Sequence, residues 1–337
     1  MLAGPAVGMF FAELGANVLK VENKTTGGDV TRNWHIAKED KSKTAAYFHS
    51  INYNKTHVFW DLKDPDDYQK LLKELEDTDI LISNFNDSTA QKFLVAYSQL
   101  FHKFPQLIYA QLIGFVNHPE RAAYDVVLQA ESGFLSMCGI SEDMKCKMPV
   151  ALIDILAAHQ LKEGILVGLI KRMKSGKGSK IECSLDKSAI ASLANQATNY
   201  LNVQHIPKPL GSKHPNIAPY GDLFFTKDGM EIVLAIGSEK QFAGLCEILD
   251  AKALLADDRF TSNGARVSNR LALIDLLAKH IALIDGNKLF ELAAERRIPI
   301  GHVKNLEQVF KTRTGKEMVL ESEDGAKRVS TISFKFN

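Results

Sequence analysis

Three residues in the middle of the chain have the types and positions for acid, base or nucleophilic work. Asp154 directly precedes a long apolar helical pattern, in the run Lys147-Met-Pro-Val-Ala-Leu-Ile-Asp154. A carboxylate at that point is expected to sit against a helix N-terminus, whose dipole and free N–H groups would keep it ionised and fix its position. The same placement suits a purely structural N-cap, so position alone leaves both roles open. Upstream, Tyr124-Asp-Val-Val-Leu-Gln-Ala-Glu-Ser-Gly133 sets Asp125 and Gln129 four residues apart. They share one face if that stretch is helical. A glycine-bearing turn, Glu22-Asn-Lys-Thr-Thr-Gly-Gly-Asp-Val-Thr-Arg32, carries Lys24 and Arg32 and could approach a phosphate closely. The Asn54-Lys55, Leu62-Lys63 and Asn84-Phe85 turns end other strand patterns, where open α/β sheets bind ligands.

The elements that must position these groups alternate. Ala6 to Leu14 has helical spacing and stops at Gly15, and Asn17 to Glu22 reads as a strand. His57 to Leu62, Asp79 to Ser83 and Gln106 to Gln111 are further strands, with a helix at Asp66 to Leu75 between the first two. This rhythm predicts an α/β fold, doubly wound around a mostly parallel sheet. Ile155, Ala158, Leu161, Ile165, Leu166, Leu169, Ile170 and Met173 then mark the most regular helix of the chain, ended by Ser175-Gly-Lys-Gly178. A strand at Lys180 to Leu185 and one helix from Lys187 to Leu201 follow. Four prolines between His205 and Tyr220 place a domain boundary there. Beyond it, Leu223 to Ala235 reads as a hairpin around Asp228-Gly229. Helices at 239–249, 271–284 and 288–296 complete a smaller α+β domain. The expected division is 1–204, 205–303 and a return segment, 304–337.

Composition excludes several classes. The 337 residues carry 41 Lys+Arg against 40 Asp+Glu, for a net charge of +1, which is not the basic excess of a nucleic-acid binder. No apolar run reaches the roughly 18 residues of a membrane span, and no signal peptide precedes Glu13. Cys138, Cys146, Cys183 and Cys246 have neither C-x-x-C nor paired-histidine spacing, so no metal site and no disulfide framework is expected, and a cytoplasmic location is. There is no G-x-G-x-x-G, Walker A, G-x-S-x-G or H-E-x-x-H motif.

Several segments occur together in one order: Ala3-Gly-Pro5 with Leu14-Gly-Ala-Asn-Val-Leu-Lys-Val-Glu22, Gly28-Asp-Val-Thr-Arg32, and Tyr124-Asp125 with Gln129-Ala-Glu-Ser-Gly133. Asp154 and its helix, Arg172 through Gly178, and Ala218-Pro-Tyr-Gly221 follow. With these, nearly the whole chain resembles the family III CoA-transferases (the CaiB/BaiF type). The resemblance implies a Rossmann-like large domain, an interlocked homodimer, and acyl-CoA and carboxylic acid as substrates, with no metal. It makes Asp154 the nucleophile, with Asp125 and Gln129 beside it in catalysis. It assigns coenzyme A contacts to Leu2, Ala3, Asn23, Lys24, Arg32, Lys55, Leu62, Lys63, Asn84, Phe85, Lys92 and Tyr124, the lysines facing phosphates as point charges. Against the family pattern, Asn86-Asp87 replaces a Pro-Gly pair and Lys92 a common arginine. The chain also begins a strand and turn later than family members and ends before their final helical segment, so an incomplete chain is expected at both ends. The related 2-methylacyl-CoA racemases place a histidine before the aspartate at Asp125. Tyr124 stands there instead, and a phenol with a pKa of about 10 is too weakly ionised to serve as that base. A non-catalytic CoA-binding subunit is the remaining alternative.

Overall fold

A computed structural model describes residues 2–322 and 324–336. The chain divides into two compact units, Met1–Leu135 with Lys147–Pro207 and Lys316–Asn337, and Ser136–Cys146 with Lys208–Gly315.

The first unit is α/β with parallel sheets. β1 (Leu19–Asn23) pairs in parallel with β2 (Thr56–Trp60), Leu19 opposite Thr56. A second parallel sheet has the order β3–β4–β5, from Ile80–Ser83, Ile108–Ile113 and Ser179–Ser184. The sequence predicted one continuous sheet, but no ladder joins the two pieces among the described residues. Helix α1 (Ala3–Glu13) lies along β3 instead, Val7 packing in one core with Ile80 and Ile82. Helix α2 (Pro65–Glu76) is capped by Asp64 and leads into β3.

Helix α3 (Asp125–Glu131) and the long helix α4 (Leu152–Ser175) carry the candidate catalytic residues. Ile153, Ala157, Leu161 and Ile165 of α4 recur every four residues and are completely buried, together with Ala110 and Leu112 of β4. That stripe fixes the rotation of α4 about its axis. Of the expected apolar pattern, Ala158 is buried in the same core and Leu169 packs against it, whereas Leu166, Ile170 and Met173 are exposed, Met173 at 86%, as is Val167 between them. The single helix expected from Lys187 to Leu201 is two, α5 (Leu185–Ala191) and α6 (Ala194–Val203). Ser192 Oγ donates back to the Ser188 carbonyl at the end of α5, and Ala194 takes a φ of 48°, outside helical geometry.

The second unit holds an antiparallel sheet, β6 (Tyr220–Phe225), β7 (Glu231–Ala235) and β8 (Ile300–His302). Helices α7 (Glu239–Ile248), α8 (Arg270–Ile281) and α9 (Gly286–Glu295) close its core, through Phe242, Leu273, Leu277 and Leu289. A last hairpin, β9 (Val319–Glu321) with β10 (Lys327–Val329), belongs to the first unit. There the Arg328 guanidinium pairs with Glu13 at the end of α1, both side chains almost fully buried.

Candidate active site

Asp154 does not cap its helix. The N-cap is Ala151, which has no side chain able to accept, so Asp154 occupies the third helical position. The capping role falls to Asp125 from a different helix. Asp125 Oδ1 accepts the Ile153 N–H at 2.7 Å and the Asp154 N–H at 3.4 Å. A negative charge there satisfies amides that the helix cannot pair itself, and it complements the dipole. Asp125 Oδ2 accepts from Gln129 Nε2 at 2.6 Å, as the four-residue spacing on α3 allows. Gln129, completely buried, accepts the Met148 N–H at 2.9 Å through Oε1, and so ties down the segment entering α4.

With the helix amides taken by Asp125, the Asp154 carboxylate accepts no hydrogen bond among the described residues. Its ionisation shifts opposite to the sequence expectation. Burial, and then the like charge of Asp125, push it up to about 6, because neither favours a second anion. Glu22, in the same unit, is by contrast fully engaged. It takes the Asp29 N–H, both Arg32 Nε and Nη2, and His57 Nδ1, at 2.6 to 2.9 Å. Asp154 is thus half-buried, electron-rich and unspent, which is what a nucleophilic carboxylate requires.

The residues assigned to coenzyme A are scattered in state. Lys24, Lys63 and Lys92 are exposed and make no ion pair among the described residues. Lys55 is committed: its ammonium donates to Pro5 O, Ile51 O and Asn52 Oδ1 at 2.6 to 3.0 Å, using all three of its donors. Arg32 is likewise held by Glu22, with its guanidinium over the Phe48 ring at 3.9 Å. Asn23 caps the turn that follows β1 by accepting from the Thr25 N–H. Asn84 is exposed, and half-buried Phe85 packs on Phe93 while its carbonyl accepts from Gln111 Nε2. Leu2 is half-buried, Ala3 buried in the α1 core, Leu62 partly buried near α2, and Tyr124 51% exposed.

Tyr47 was missed by sequence reasoning. Its half-buried phenol is pushed up by burial and by the charges of Asp154, Asp125 and Asp29, so it lies within their electrostatic reach. Its ring meets Trp34 edge-on at 5.0 Å. No motif marks it, because the polar stretch between Trp34 and Tyr47 has no periodicity. The phosphate-turn reading also missed why a glycine is needed at position 28. A Cβ at Gly28, where φ is 95°, would lie 2.5 Å from Glu22 Oε2 and 2.7 Å from Phe59. Among the described residues no group of His, Cys, Asp and Glu could hold a metal ion, and no helix is long and apolar enough to cross a membrane.

An unpaired carboxylate with a raised pKa near the start of a helix packed on a parallel sheet has the chemistry to act as a nucleophile. The model of CoA-transferase family III matches residues 1–337, and the chain belongs to that family. It is an acyl-CoA:carboxylate CoA-transferase. It is 33% identical over 336 residues to the succinate–glutarate CoA-transferase of Agrobacterium fabrum, covering 96% of this chain and 83% of the relative. The human succinyl-CoA:glutarate CoA-transferase is 33% identical over 314 residues, covering 92% and 70%. A CaiB/BaiF family protein from Brucella suis superposes with a TM-score of 0.86 at 33% identity, over 99% of this chain and 89% of that one.

Proposed function

We propose that Asp154 is the nucleophile of a double displacement. Its carboxylate attacks the acyl-CoA carbonyl carbon, the C–S bond breaks, and an acyl-aspartyl anhydride forms with CoA thiolate as leaving group. The thiolate returns to the Asp154 carbonyl and releases the donor acid, leaving an aspartyl-CoA thioester. The acceptor carboxylate then attacks the aspartyl thioester and expels CoA thiolate, giving a second mixed anhydride. The thiolate attacks the acceptor's acyl carbon, so that the new acyl-CoA leaves and the Asp154 carboxylate is restored. Asp125 and Gln129 hold the start of α4 and so fix the attacking oxygens. The observation that carries this reading is the raised, unpaired Asp154 carboxylate beside a fully satisfied Asp125. In this reading Lys24, Lys63 and Lys92, free of ion pairs among the described residues, meet the phosphates of coenzyme A. Lys55 and Arg32 brace the walls of that site.

The names of the two relatives point to short dicarboxylates as donor and acceptor. Incubation with succinyl-CoA and glutarate should therefore yield glutaryl-CoA. Quenching with hydroxylamine after succinyl-CoA alone should leave a hydroxamate on the peptide containing Asp154. Absence of both exchange and hydroxamate with succinyl, glutaryl and oxalyl donors would remove the double displacement.

The reading extends to assembly. In it, residues 1–204 form a Rossmann-like CoA-binding domain, 205–303 the small domain, and 304–337 the return segment, within an interlocked homodimer. Val167, Ile170 and Met173 on α4, with Leu201 and Val203 on α6 exposed at 74% and 71%, supply apolar surface for a second copy. Sedimentation at micromolar concentration should give about twice the chain mass of 37.4 kDa. A concentration-independent monomer would contradict it.

A further inference from the structure

We propose that Cys138 and Cys146 form an oxidisable dithiol, which closes to a reversible intrachain disulfide on meeting a low-molecular-weight disulfide such as oxidised glutathione. The chain turns back on itself between them. Gly139 bridges antiparallel to Lys145, the Ile140 N–H donates to Met144 O at 3.0 Å, and the Cys146 N–H donates to Cys138 O at 3.1 Å. In that pattern Cys138 and Cys146 are the next directly opposed pair, so their side chains leave the same face. Opposed, hydrogen-bonded residues have Cα atoms roughly 5.5 Å apart, inside the approximately 4.4–6.8 Å span of disulfides. The close approach depends on Gly139, where φ is 138° and a Cβ would lie 2.2 Å from the Met144 carbonyl oxygen.

The two thiols differ in a way that orders the chemistry. Cys146 is exposed and Cys138 half-buried. The Cys138 thiol is pushed up by burial and by the Cys146 thiol itself, so the sulfurs sense one another. The Cys146 thiolate attacks one sulfur of the oxidant, forming a mixed disulfide and releasing one small thiolate. The Cys138 thiolate then attacks the Cys146 sulfur, and the second small thiolate leaves. Two thiols have lost two protons and two electrons, and one small disulfide has become two thiols. The remaining cysteines are poor competitors. Cys246 is completely buried and pushed up to about 11, and Cys183 donates to Ala157 O while it contacts Ser188 Oγ.

The full chain is treated with excess oxidised glutathione, its free thiols are alkylated, and intact and peptide masses are read without reductant. The wild type should lose two alkylatable thiols and two hydrogens, retain no glutathionyl group, and recover both thiols with dithiothreitol. Cys138→Ser, which lacks the resolving sulfur, should retain one glutathionyl group on Cys146. The proposal fails if the wild type keeps a stable glutathionyl group on Cys146. It fails equally if the bond forms between two chains, or if both thiols remain alkylatable.

Discussion

Asp154→Asn is expected to lower CoA transfer by at least about 10⁴-fold, because it removes the attacking oxygen while keeping the side chain's shape. The same change should make the protein more stable at neutral pH. The Asp154 carboxyl is raised from 3.8 to about 6, so the fold favours its protonated form. That preference contributes stability below the unfolded pKa and is lost as pH rises through about 6. Asparagine lifts the penalty of the buried charge, for a gain of up to about 3 kcal/mol at pH 8 that disappears near pH 4. Urea melts at both pH values measure it. In the wild type, kcat/KM should fall about tenfold per pH unit below about 6, as the nucleophile protonates. An asparagine variant that transfers CoA at near wild-type rate, or that is destabilised at pH 8, would return Asp154 to a structural role.

Glu22→Ala should cost about 3–5 kcal/mol, since it strands the charges and donors that converge on one buried carboxylate. Arg32, His57 and the Asp29 N–H all lose their acceptor, and the turn from Asn23 to Arg32 loses its anchor to β1. CoA affinity should weaken along with stability if that turn approaches phosphate. The wild-type contribution has a defined pH window. Burial raises the Glu22 carboxyl, but hydrogen bonds from Arg32, the Asp29 N–H and His57, with the charge of Lys20, outweigh it and bring the group to about 2. Its stabilisation is therefore complete above about 4.5 and lost as pH falls toward 2. Calorimetry of the variant and the wild type at pH 7 decides the matter, and a difference below about 1 kcal/mol would refute it.

The elements legible in the sequence were those whose pattern is local. β1, β2, β3, β4, β5 and α4 announce themselves by runs of apolar residues between glycines and polar turns. Asp125 and Gln129 could be paired from spacing alone, because four residues on a helix bring side chains together. What could not be read was who caps α4. The N-cap is chosen by tertiary structure, and Ala151 can hold that place only because Asp125 reaches across from α3. The direction of the Asp154 shift was hidden for the same reason, since the amides that would have kept it low are already taken. The state of Lys55 was equally out of reach, because two of its three acceptors are backbone carbonyls that no sequence motif encodes.

The Asp125–Gln129 bond couples two positions in substitution space. Asp125 can only accept, and it receives from Ile153, Asp154 and the Gln129 amide nitrogen. Gln129 must offer a donor at one end and an acceptor to Met148 at the other. Glutamate at 129 would keep the second contact and set a carboxylate against Asp125. Asparagine at 125 would turn an N–H₂ either onto the helix amides or onto the Gln129 donor. Neither position can change its hydrogen-bond polarity alone. Evolution toward new acyl groups at this site must therefore proceed through residues outside this pair, or through both members at once.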